Sequence, residues 1–171
     1  LIPLNDDFEI VPEDYYRENG GIIFPNPNAP TGDLLPIDTI EEIIKHNPDS
    51  IVMVDEAYID FGGISALSLI EKYDNLIVIQ TFSKSRALAG MRIGYAMSNE
   101  KLIKALNDVK YSFNSYTMNR QVIEAGAASI EDEEYFQTNI KKIIDTRERA
   151  KKEFKKLGFT FKDSMSNFIF V

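Results

Sequence analysis

Three short apolar runs, Ile22-Ile-Phe24, Ile51-Val-Met-Val54 and Leu76-Ile-Val-Ile79, constrain this chain more than anything else in it. Each is too short for a helix, and continuous apolarity of this kind marks strands buried on both faces, as in parallel sheets. Between the first two runs, Ile37, Ile40, Ile43 and Ile44 recur at helical spacing, with Asp38 and Glu41 in a capping-box relation. That segment is expected to be a helix covering the sheet. Leu67, Leu69 and Ile70 mark a shorter helical piece before the third run. Strand, helix, strand, helix, strand is the signature of an α/β fold with a mostly parallel sheet. Right-handed crossovers then place Asn28, Asp55 and Lys84, which all follow strands, along the carboxyl edge of the sheet, where ligands bind.

The flanking segments read in the same way. Residues 1–20 are acidic and polar and end on the turn Asn19-Gly20-Gly21, with a short helix expected at 12–17. Three prolines between Pro25 and Gly32 take the chain out of the sheet in a stiff loop. Arg92–Met97 reads as a further strand, antiparallel because little chain separates it from the one before. Ser98 is expected to cap a helix with Leu102, Ile103, Leu106 and Val109 on its inner face. Residues 111–117 read as an aromatic loop, and Arg120–Ile130 as a helix whose small residues allow close packing. Asp132 begins the longest helix. Its apolar stripe is Phe136, Ile140, Ile143, Ile144, Ala150, Phe154 and Leu157, its charged face is expected in solvent, and Gly158 is placed to stop it. Phe159–Phe161 and Phe168–Phe170 read as strands opening a second, small α/β unit. Residues 1–130 are thus expected to form part of one large domain, and 131–171 a linking helix and the start of a small one. The chain begins without methionine and stops inside an apolar run, so a central piece of a longer protein is expected.

Composition removes several function classes. A net charge of −8 disfavours nucleic-acid and anionic-membrane partners, both of which need a basic face. No apolar run reaches membrane-spanning length. The absence of cysteine excludes disulfides, thiolate metal sites and cysteine nucleophiles, and suits a reducing, cytoplasmic setting. His46, the one histidine, lies in a polar helix tail and reads as a solvated helix terminus, so no metal site is expected.

The chemistry lies at the strand exits. Lys84 follows an apolar strand, has Thr81 and Ser83 beside it and Arg92 eight residues on. Alone it would be one more surface lysine in a turn. In this setting its amine can form a Schiff base with a carbonyl, while the hydroxyls and the guanidinium can hold a phosphate a fixed distance away. Pyridoxal 5'-phosphate (PLP) carries both groups. Asp55 at a buried strand end is costly without a cation. A protonated pyridine nitrogen would satisfy it and make the ring an electron sink; a lysine paired for structural reasons would satisfy it as well. Tyr58, three residues on, could reach the ring's phenolic oxygen.

Asn28-Ala-Pro-Thr-Gly32, Asp55-Glu-Ala-Tyr58 and Ser83-Lys-Ser-Arg-Ala-Leu-Ala-Gly-Met-Arg92, in that order and spacing, resemble the fold-type I PLP aminotransferases of class I/II, and within them the histidinol-phosphate aminotransferases. The resemblance covers essentially the whole chain. It implies that Lys84 is the Schiff-base lysine, Asp55 the partner of the pyridine nitrogen, Tyr58 a ligand of the ring oxygen, and Ser83 and Arg92 phosphate ligands helped by Thr81. It also implies a homodimer, an amino donor and a 2-oxo acid as substrates, and two parts from outside residues 1–171: an upstream aromatic ring stacked on the cofactor and a downstream arginine for the substrate. The family usually has an asparagine directly before Pro-Thr-Gly. Here that place is Ala29, so the contact is expected from the adjacent Asn28 or from Tyr58 alone. An aromatic-amino-acid aminotransferase and a phosphothreonine decarboxylase share the same cofactor residues. A strand ending in Asp55-Glu56 also resembles the magnesium-binding strand of nucleotide hydrolases, but the comparable loop, residues 26–32, lacks the lysine those enzymes need.

Overall fold

The computed structural model describes residues 1–171. Its centre is a four-stranded sheet of β1 (Ile22–Pro25), β2 (Val52–Asp55), β3 (Leu76–Thr81) and β4 (Gly94–Met97), in that spatial order. β1, β2 and β3 are parallel, and β4 runs antiparallel to β3, as the short connection requires. Helix α1 (Ile37–Lys45) and a 3₁₀ turn at Ala66–Leu69 cover one face. Ile40, Ile43 and Ile44 meet Ile22, Phe24, Val52, Val54, Leu76 and Val78 there in one core. Ile40, Ile43 and Ile44 are each at most 1% exposed, and burying such a side chain contributes up to about 2–3 kcal/mol.

The opposite face departs from the expectation of strands buried on both sides. Ile77 is covered, but Ile23 is 66% exposed. Two caps also differ. α1 starts at Ile37, with Pro36 as its N-cap and no side-chain cap, so Asp38 and Glu41 form no capping box. Glu41 instead accepts the Tyr73 hydroxyl at 2.7 Å. Helix α2 (Glu100–Phe113) is capped by Asn99, whose Oδ1 accepts the Leu102 N–H, while Ser98 donates to the Leu76 carbonyl. The helix runs on through Tyr111–Phe113, which are therefore not a loop. Its expected inner face is open, with Val109 68% exposed.

Helix α3 (Arg120–Glu131) approaches the β4 region through Gly126, where an added Cβ would lie 3.0 Å from Ile93 Cδ1. Helix α4 (Glu133–Lys156) starts on Asp132 and stops at Gly158, whose φ of +85° continues the chain out of the helix. Phe136 and Ile140 of its stripe pack on Phe61, whereas Leu157 is exposed. The charged face is not all solvated: Arg147 and Lys151 are buried, because backbone carbonyls of other segments surround their nitrogens. Phe159–Phe161 and Phe168–Phe170 form no strands, having no strand to pair with; Phe159 and Phe161 pack edge-on against Phe154, Phe168 against Tyr58 and Phe170 against Phe8. His46 is exposed at the C-cap of α1 and stacks on Tyr16. No helix is long and apolar enough to cross a membrane.

Candidate active site

The parallel register aligns Pro25, Asp55 and Ile79 across the sheet. The three chains leave it together, with the Asn26 N–H donating to the Asp55 carbonyl and the Glu56 N–H to the Ile79 carbonyl, both at 2.8 Å. Asp55, the last residue of β2, and Asn28 and Lys84, on the loops after β1 and β3, consequently lie at one carboxyl edge.

Asp55 is half-buried, and its carboxylate accepts one bond within the chain, from the Ala57 N–H at 3.0 Å. No lysine or arginine pairs with it, so the structural ion pair is not formed. Tyr58 turns back toward the β3 exit, and Lys84 Nζ lies 5.1 Å from the centroid of its ring. Lys84 itself is exposed and makes no ion pair; its carbonyl accepts the Ala87 N–H in a tight turn closed by the Leu88 N–H donating to the Phe82 carbonyl.

The neighbouring hydroxyls divide. Thr81 Oγ1 donates to the Ile93 carbonyl and accepts the Ser83 N–H, both at 3.1 Å, so it braces the turn from inside. The Ser83 hydroxyl, half-buried, has no partner in the chain. Arg92 occupies the left-handed region with φ +57°, is exposed, and donates once, to the Ala89 carbonyl at 2.8 Å. No carboxylate pairs with it.

Asn28 is buried in the proline loop. Its backbone carbonyl accepts the Gly32 N–H, its Oδ1 accepts the Thr31 hydroxyl at 3.0 Å, and its Nδ2 makes no bond within the chain. The loop is locked from the other side by Asn26, whose amide both donates to and accepts from the Leu35 backbone.

Sequence reasoning passed over several residues that build this edge. Glu56 is 1% exposed and accepts from Ser65 Oγ at 2.6 Å, the Ala66 N–H at 2.6 Å and Gln80 Nε2 at 2.9 Å. Burial pushes its carboxyl above the ordinary range, against the pull of those hydrogen bonds. It ties the end of β2 to β3, and strand alternation, which turns Glu56 away from Asp55, was the available signal. Arg86 lies over the Phe136 ring at 4.0 Å and donates to the Ser129 carbonyl, which pins the lysine turn to α3 and α4. Ser85 donates to Asp60 Oδ2. Between this turn and the two helices lies a cleft of about 600 Å³ lined by Lys84, Leu88, Ser129, Phe136 and Asn139 among others. Nothing in the local sequence signals the Arg86 contacts.

A lysine, an aspartate and an arginine, each without an ion-pair partner and set around one sheet edge, can together hold a ligand with a carbonyl, a basic ring nitrogen and an anionic group. The chain is similar over nearly its whole length to aminotransferases. Residues 4–171 match the family described as "Aminotransferase class I and II". The chain is 57% identical over 171 residues to histidinol-phosphate aminotransferase of Brachyspira hyodysenteriae and 56% identical over 170 residues to that of Lactococcus lactis subsp. cremoris, covering 99% of this chain and 48% of each relative. It thus spans about half the length of the curated relatives it matches. Among solved structures it is similar to histidinol-phosphate aminotransferase from Sinorhizobium meliloti in complex with pyridoxal-5'-phosphate, with a TM-score of 0.86 and 26% identity over 98% of this chain and 47% of that one. The enzyme from Clostridium acetobutylicum gives 0.84 and 28% over 97% and 52%. On the match over nearly its whole length, this chain belongs to the class I and II aminotransferase family.

Proposed function

We propose that the chain serves a PLP-dependent aminotransferase that exchanges an amino group between histidinol phosphate and 2-oxoglutarate in histidine biosynthesis, as a cytoplasmic homodimer. The observation that carries this reading is the identity of 54–57% to relatives named histidinol-phosphate aminotransferase along 99% of the chain. Residues 1–130 would belong to the cofactor-binding domain, and 131–171 would link it to a small domain.

The residues at the sheet edge suit PLP. Asp55 has a carboxylate oxygen free of bonds within the chain, Lys84 and Arg92 are unpaired cations, and the Ser83 hydroxyl and Asn28 Nδ2 are uncommitted donors. PLP, when bound, supplies an aldehyde that takes up amino groups and a ring that draws electrons from the adjoining carbon. Lys84 Nζ would hold the aldehyde, and its amine, when free, would hold or move a proton at the substrate α-carbon. Asp55 would keep the ring nitrogen protonated. Tyr58 and Asn28 would donate to the ring oxygen, and Ser83 and Arg92 would bind the phosphate, Arg92 by its planar fork. Thr81 supports these indirectly, because its hydroxyl proton is already committed to Ile93.

The test is a substrate panel on the full-length protein with PLP. Glutamate formation from 2-oxoglutarate should be fastest with histidinol phosphate. A preference for aromatic amino acids, or carbon dioxide release from phosphothreonine, would overturn the substrate assignment.

A further inference from the structure

Helix α4 and the C-terminal segment reach the candidate site from behind, and one buried cation joins them to it. Arg147 is 8% exposed, and its Nη1 donates to the Phe61 carbonyl at 2.9 Å and to the Ser166 carbonyl at 2.8 Å. Those carbonyls belong to the two segments that flank Tyr58. Phe61 ends the 3₁₀ turn that Tyr58 caps, with its N–H on the Tyr58 carbonyl at 3.1 Å. Ser166 lies two residues before Phe168, whose ring meets that of Tyr58 edge-on with centroids 5.1 Å apart. The Lys84 ammonium lies at the same distance from the Tyr58 ring.

A buried guanidinium is costly unless its donors are used, and a bond to the half-exposed Glu148 would not by itself require burial. Lys151, one turn on, already holds the segment to α4 by binding Asp163 and the Ser164 carbonyl. What Arg147 adds is the link to Phe61, and so to Tyr58. We infer that Arg147 is a positioning residue for the candidate site: by holding the Phe61 and Ser166 carbonyls on one nitrogen, it fixes the Tyr58 ring between Phe168 and Lys84. The inference rests on the reading of Lys84 and Tyr58 as cofactor residues.

The test is a double-mutant cycle on the full-length protein, reading PLP affinity of the apo-protein by fluorescence titration alongside turnover. Arg147→Met should weaken PLP binding about tenfold where Tyr58 is present and less than about twofold in a Tyr58→Ala background, the coupling typical of side chains acting as one unit. Phe168→Leu, which leaves both Arg147 bonds in place, should follow the same pattern. A purely structural role would give equal losses in both backgrounds, and that result, or full PLP affinity in folded Arg147→Met, overturns the inference. If Arg147→Met does not fold, Arg147→Lys, which keeps the charge on a shorter stem, is judged by the same criterion. A wild-type protein that takes up no PLP would overturn the functional reading and this inference with it; uptake with uncoupled losses overturns this inference alone.

Discussion

Lys84 and Tyr58, 26 positions apart on different loops, meet at the sheet edge with the amine 5.1 Å from the ring centroid. The strand register produces that meeting, since β2 and β3 end side by side and both chains turn toward the same edge. Lys84 is also the lysine that no carboxylate holds there, so its amine is available for covalent capture. Borohydride treatment of the full-length protein with PLP should leave the reduced adduct on the peptide containing Lys84. Lys84→Arg should abolish labelling and lower turnover by roughly 10²–10⁴, the range of a lost proton-transfer group. Mapping of the adduct to another lysine would refute the assignment.

Asp55 and Arg92 should fail in different ways. Asp55→Ala removes the charge that would keep a ring nitrogen protonated, so turnover should collapse while much of the cofactor stays bound. Arg92→Lys substitutes an ammonium for a planar two-pronged donor and should chiefly weaken cofactor retention. Absorbance after gel filtration, set beside turnover at saturating PLP, separates the two. The reverse pattern would exchange their roles.

The parts of this structure that were legible in the sequence are those whose signal is local. The β-branched runs pointed to strands, and Asp55 directly after one run and Lys84 five residues after another pointed to their carboxyl ends. Arg147 and Lys151 were illegible for the opposite reason: a lysine- and arginine-rich helix face looks solvated until the carbonyls of Phe61, Ser164 and Ser166, distant in sequence, surround it. Phe159–Phe161 and Phe168–Phe170 carry a strand-like pattern, but a strand needs a partner, and their rings pack against Phe154, Tyr58 and Phe8 instead. The caps differ by one or two residues: Asn99 rather than Ser98 caps α2, and Pro36 is the N-cap of α1, which puts Asp38 inside the first turn.

Glu56 makes stability depend on pH. Its carboxyl is raised above the model-compound value of 4.5, chiefly by burial, so the folded state favours the protonated form. Its contribution is then fully present below the unfolded value and is lost as pH rises through the folded one. Glu56→Gln imitates the neutral carboxyl, so its melting temperature relative to wild type should improve as pH is raised from about 4.5 toward neutrality. Glu56→Ala should cost about 1–3 kcal/mol near pH 4.5, because Ser65, Gln80 and the Ala66 N–H lose their acceptor, and less toward neutrality. A gap between Gln and wild type that does not change with pH would show that Glu56 does not titrate as described.

Gly32 is where the C-terminal segment bears on the proline loop. Its φ is +76°, a conformation side chains resist, and its carbonyl accepts the Met165 N–H at 2.8 Å. An added Cβ would stand 2.7 Å from Ser164 Cβ and closer still to its hydroxyl. Ser164 cannot yield easily, because its Oγ donates to the Phe168 carbonyl and its own carbonyl holds Lys151. Gly32→Ala should therefore combine backbone strain of about 1–2 kcal/mol with an overpacking cost of about 1–3 kcal/mol. Ser164→Gly alongside it should relieve the overpacking and leave the backbone strain. Urea unfolding of wild type, single and double variants measures both, and a single variant within about 0.5 kcal/mol of wild type, the range of an ordinary surface substitution, would show that the segment does not press on this turn.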